Sequence, residues 1–177
     1  MKCAILGHSQ LRHVNINNIS LRNSTDIVAK FFVPGITLDT VYETDVYRSF
    51  VEFRPDLVIL FLGSNDIVES NCDLVKTVVD RVNYLVDKIY TDVNPRFDIR
   101  FLEFEQRVGN NRFVTEQTYR KVRNAISKKL KKISNIKFVT LTLWDFNASC
   151  IGVDGVHLNT KGIEIIETVI EHLICEL

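Results

Sequence analysis

Residues 57–62 read LVILFL, apolar at every position, and residues 63–66 follow with GSND. An extended run with no polar position must bury both of its faces, which is the situation of a central strand in a parallel sheet covered by helices on both sides. Four more short runs, at 2–6, 26–33, 98–103 and 137–142, are rich in apolar and β-branched residues and are also read as strands. The segments between them are longer and amphipathic. Residues 73–90 place Leu74, Val78, Val82, Leu85 and Ile89 at three- and four-residue steps, along one face of a helix. Helices are likewise predicted at 37–53, 115–133 and 160–177, with Thr160 as cap of the last, and a shorter one after Ser9. Residues 15–25, 94–96 and 105–113 read as loops. Strand–helix alternation predicts right-handed crossovers and a three-layer α/β/α sandwich around a five-stranded parallel sheet. Five strands suit a flavodoxin-like order, although the sequence leaves the order open.

The length of 177 residues fits one domain spanning 1–177. Hydrophobic residues make up 46% and charged residues 25%, the balance of a globular chain. Lys+Arg and Asp+Glu both number 22, so no overall charge draws the chain to nucleic acid or anionic membrane. Lys121, Arg123, Lys128, Lys129, Lys131 and Lys132 crowd one predicted helix. Such a face is usually just solvated, and RNA or anionic lipid contact through helix 121–132 is the sharper reading. Cys3, Cys72, Cys150 and Cys175 form no metal-binding or disulfide pattern, which favours a reducing, cytoplasmic setting. The apolar run after Lys2 is too short for a secretory signal, and no stretch reaches the ~20 apolar residues of a membrane span.

In open parallel sheets, ligands bind beyond the carboxyl ends of the strands. Four loops at that edge carry Gly7-His8-Ser9, Pro34-Gly35, Gly63-Ser64-Asn65-Asp66 and Asp154-Gly155-Val156-His157. A serine hydroxyl is a weak nucleophile and needs a base; His157 is the candidate base for Ser9. Asp154, one helical turn before His157, is the carboxylate that would orient it. The backbone N–H groups of Ser9 and Gly35 and the side-chain amide of Asn65 are candidate donors to an oxyanion, and Gly35 offers unobstructed approach to its backbone. Ser9 also lies near a predicted helix N-terminus. Ser64 is a competing nucleophile ranked below Ser9, and Asp66 is read as support for its loop. His8, His13 and His172 are read as a loop side chain, a helix-surface position and a position near the C-terminus. Trp144 and Phe146 are read as core or substrate wall.

At these residues the chain resembles the SGNH (GDSL-type) hydrolases. GHSQ at 7–10, Gly35, GSND at 63–66 and DGVHL at 154–158 stand in the order of that family's blocks, from residue 7 to residue 162. The resemblance implies a flavodoxin-like fold, ester hydrolysis and no metal or organic cofactor. It departs at His8, where the family usually has Asp, so hydrogen bonding around Ser9 is expected to differ. A narrower resemblance, carried by GHSQLRHV, FRPDLVILFLGSNDI and DGVHLNTKG, is to the esterase domains of LINE-type retrotransposon first-reading-frame proteins. The expected activity is hydrolysis of small, acetyl-type esters through an acyl-enzyme, with a small acyl-ester or lipid substrate. The alternatives are an acyltransferase on the same scaffold and a low-turnover module binding RNA or membrane.

Overall fold

The computed structural model describes every residue except 22, 68–72, 106–107 and 109–114. Five strands, β1 (Lys2–Gly7), β2 (Ile27–Phe32), β3 (Leu57–Phe61), β4 (Ile99–Leu102) and β5 (Ile136–Val139), form one parallel sheet in the order β2-β1-β3-β4-β5. Among the described residues, four α-helices follow the later strands: α1 (Asp45–Phe53), α2 (Leu74–Asp92), α3 (Glu116–Leu130) and α4 (Thr160–Cys175).

The strand period of two divides the core into two layers. Val58 and Leu60 of β3, with Ala4 and Leu6 of β1, pack against Phe50 of α1, Val82 and Val86 of α2 and Ile126 of α3. Leu57, Ile59 and Phe61, with Cys3 and Ile5, face Ile166, Val169 and Ile170 of α4. This is why LVILFL has no polar position: each side of the strand is covered by helices. The strand order reverses at β1, which lies between β2 and β3, so a crevice opens at the carboxyl ends of β1 and β3.

Several boundaries differ from the expectations. The helix predicted at 37–53 begins only at Asp45. Thr37 spends its hydroxyl on Asp39 (2.7 Å), Val41–Glu43 forms a 3₁₀ turn, and Thr44 caps α1 by accepting from Tyr47 N–H at 3.1 Å. The last helix is capped by Asn159 rather than Thr160, through Gly162 N–H at 3.1 Å. The short helix expected after Ser9 is the 3₁₀ turn Ser9–Arg12, whose dipole is correspondingly small. Residues 140–144 leave β5 because Leu141 turns into the core beside α4. Most of the loop predicted at 105–113, and Cys72, lie outside the described residues.

On α3, Lys121, Lys128 and Lys129 are exposed, as are Lys131 and Lys132 just past its end, but Arg123 is buried and donates to Phe104 O at 3.4 Å, so it does not belong to the basic face. Cys3, Cys150 and Cys175 are free thiols, and burial pushes Cys3 up to about 12. Among the described residues, no helix is long and apolar enough to cross a membrane.

Candidate active site

The sequence stretches at the four strand ends meet in one cleft of about 600 Å³. Ser9, Gly35, Asn65, Asp154 and His157 all line it, with Arg12 and His13 beside Ser9 and Pro34, Val156 and Leu158 as its apolar wall. Ser9 Oγ is 3.3 Å from His157 Nε2. His157 Nδ1 is 2.6 Å from Asp154 Oδ2. The other Asp154 oxygen accepts the backbone N–H groups of Val156 (3.0 Å) and His157 (2.9 Å). The Val156 N–H, then the His157 ring and the His157 N–H, hold the Asp154 carboxyl down at about 2. An ionised Asp154 fixes the Nδ1–H tautomer, which leaves the Nε2 lone pair facing Ser9. Both side chains are about half exposed, so the site opens to solvent rather than sitting under a cover.

The oxyanion candidates arrive from β2 and β3. Gly35 lies in the left-handed region, with φ 73°, and a Cβ there would meet nothing within 4 Å. The left-handed backbone favours glycine here, and the open space around it leaves its backbone free to be approached. Asn65 Nδ2 donates to Ile36 O at 2.9 Å, which holds its amide next to the Gly35 turn. Asp66 ties the same two loops together: its carboxylate accepts Leu38 N–H at 3.1 Å and Arg81 at 2.9 Å, and Arg81 reaches on to Asp39.

His8, a loop side chain as read from the sequence, is buried. Its Nε2 lies 3.2 Å from Ser64 Oγ and 3.6 Å from the carboxylate of Glu105, and its ring packs on Phe61. Ser64 is itself fully buried in this contact, behind the cleft wall. Its hydroxyl therefore does not face the cleft where Ser9 lies. In the sequence Glu105 is only the first residue of the loop 105–113, and no motif marks it. His13 follows the 3₁₀ turn at the cleft mouth and not a helix surface. Phe146 is core, and Trp144 packs edge-on against His172 in a separate groove beside β5 and α4, so neither walls the cleft.

The sequence model of the GDSL-like lipase/acylhydrolase family matches residues 5–167. The chain belongs to the GDSL-like lipase/acylhydrolase family. It is a hydrolase of the carboxylic-ester type, and solved structures of GDSL-type and related proteins share its fold. A lipase/acylhydrolase from Enterococcus faecalis superposes with a TM-score of 0.75 at 16% identity, covering 98% of this chain and 95% of that one. The lipase Lip_vut3 from a goat rumen metagenome gives 0.75 at 14% identity, covering 97% and 96%. Axe2, an acetylxylan esterase from Geobacillus stearothermophilus, gives 0.69 at 15% identity, covering 98% and 93%. No curated protein sequence matches this GDSL-like hydrolase at a significant level.

Proposed function

We propose that this GDSL-like hydrolase cleaves small, acetyl-type carboxylic esters through an acyl-enzyme, with Ser9 as nucleophile. The observation that carries the reading is the continuous relay from Ser9 Oγ through both nitrogens of His157 to Asp154, at 3.3 and 2.6 Å. As Ser9 Oγ attacks the acyl carbon, its proton moves to His157 Nε2, and the imidazolium is stabilised by Asp154. Charge on the carbonyl oxygen is received by the N–H groups of Ser9 and Gly35 and by the Asn65 amide, each such donor being worth about 2.7–4 kcal/mol of barrier. The proton on His157 then goes to the leaving alkoxide. Water, deprotonated by the same imidazole, attacks the acyl-Ser9 ester and releases the acid.

A short acyl group suits the cleft because its described wall offers little apolar surface beyond Pro34, Val156 and Leu158, and its mouth is open. Long acyl chains gain affinity by burying methylenes, at about 0.8 kcal/mol each, and this cleft has few places to bury them. The structural likeness to acetylxylan esterases fits that size class. The test is hydrolysis of p-nitrophenyl acetate and p-nitrophenyl octanoate by wild type and Ser9→Ala. The proposal expects acetate to be preferred in kcat/KM and Ser9→Ala to lose at least about 1000-fold on it. Equal rates in the two proteins would overturn the assignment of Ser9, and preference for octanoate would overturn the small-acyl reading.

A further inference from the structure

Gln10, the residue after Ser9, is 3% exposed, and its side chain does not point into the solvent-filled cleft. Its Nε2 donates to Val156 O at 2.8 Å, and its Oε1 accepts Leu158 N–H at 2.9 Å. Those two backbone groups belong to the peptide planes on either side of the His157 Cα. Fixing both planes fixes φ and ψ at residue 157, and so the direction in which its Cα–Cβ bond points. On the opposite edge, Gly152 N–H donates to His157 O at 2.7 Å, and Ile151 forms an antiparallel bridge with Leu158. The segment around His157 therefore lies like a strand between two partners, one a peptide chain and the other the amide of Gln10.

We infer that Gln10 is the positioning residue that holds the imidazole of His157 at working distance from Ser9. The inference rests on the proposed roles of Ser9 and His157. Adjacent residues of one turn then carry the nucleophile and grip the loop of its base, so the side chain next to Ser9 ties it to the His157 loop across 148 residues of sequence. The grip matters because both His157 and Asp154 are half exposed and have little packing of their own to hold them. A displacement of about 1 Å in such a pair is worth roughly 100-fold in rate. The remaining contact of the Gln10 amide, Glu105 Oε1 at 3.5 Å, is long and joins this grip to the buried His8–Glu105 pair.

The test uses the full chain with Gln10→Met, which keeps the side-chain volume and removes both hydrogen bonds. Wild type and Ser9→Ala are assayed first on p-nitrophenyl acetate; equal rates there defeat the site assignment, and this inference with it. With that difference in hand, Gln10→Met is expected to lower kcat about 10- to 100-fold with KM within about twofold. The low-field proton resonance of the His157–Asp154 hydrogen bond, identified by its loss in Asp154→Asn, is expected to weaken or shift in the same variant. Asn159→Ala serves as the comparison: it removes the α4 cap and two contacts to the 149–151 backbone but no contact to the peptides flanking His157. It should lower the thermal midpoint and leave kcat near wild type. Should Gln10→Met fail to fold, Gln10→Asn, whose amide is one methylene too short to reach both groups, is expected to show the same kcat loss. Wild-type kcat in a folded Gln10 variant would overturn the inference. So would losses of kcat in Gln10 and Asn159 variants that simply track their losses of thermal midpoint.

Discussion

Gly35 and Gly155 both occupy left-handed backbone, at φ 73° and 71°, in opposite surroundings. A Cβ at Gly35 would stand in open space, whereas one at Gly155 would lie 2.1 Å from Val108 O. That carbonyl cannot rotate away as a side chain does, and Val108 N–H is also bonded to Gly155 O at 2.9 Å. Gly35→Ala should therefore cost only the left-handed strain of about 1–2 kcal/mol. Gly155→Ala must in addition push the Asp154–His157 turn off its neighbour, and it is expected to lower the denaturation midpoint further than Gly35→Ala and to cut kcat about 100-fold. Urea melts and p-nitrophenyl acetate kinetics on the two variants measure this; equal midpoints would contradict the close approach. The tetrad GVDG at 152–155 announces a turn in the sequence but not what presses on it, since Val108 comes from a loop 47 residues earlier, as the pairing of 108 with 155 makes plain.

At the level of elements, the side of the cleft that carries the oxyanion candidates is held by a buried carboxylate. Asp66 lies in the 3₁₀ turn after β3 and grips Leu38 of the loop after β2, with Arg81 of α2 as its counter-ion. Burial raises its carboxyl from 3.8 to about 6, outweighing the opposing pull of the Leu38 N–H and of Arg81. A folded-state value above the unfolded one means that the folded chain binds this proton more tightly. Its stabilising contribution is thus fullest below about pH 4 and is lost as pH rises through about 6. Set against Asp66→Asn, which does not titrate, the wild-type denaturation midpoint should lose ground between pH 4 and pH 7; a gain over that interval would contradict burial as the dominant influence. The element boundaries show where sequence patterns stop being informative. α2 shows its apolar face plainly because Val78, Val82, Leu85 and Ile89 pack on the sheet. Residues 37–44 have apolar residues at helical spacing too, yet Thr37, Asp39 and Thr44 use their side chains to bond local backbone or each other, and this competes with helix.

In the whole molecule, a sheet order that reverses at β1 makes the crevice, and loops from four strand ends fill it. That much was legible in the chain: LVILFL marked the doubly covered strand, and Ser9, Gly35, Asn65, Asp154 and His157 stood at the ends where such sheets bind ligands. What lay beyond reading was the layer beneath. His8, Gln10, Ser64 and Glu105 are polar residues, and only the folded chain brings them together out of water, each paired with a partner distant in sequence. Their burial puts one serine, Ser64, behind the wall and leaves the other, Ser9, facing the cleft. The most direct measurement is therefore covalent: the chain is treated with diethyl p-nitrophenyl phosphate and the modified peptide is mapped by mass spectrometry. A single diethylphosphoryl group on Ser9, absent from His157→Ala, is the predicted result; modification at Ser64 or elsewhere, or labelling that persists without His157, would contradict it.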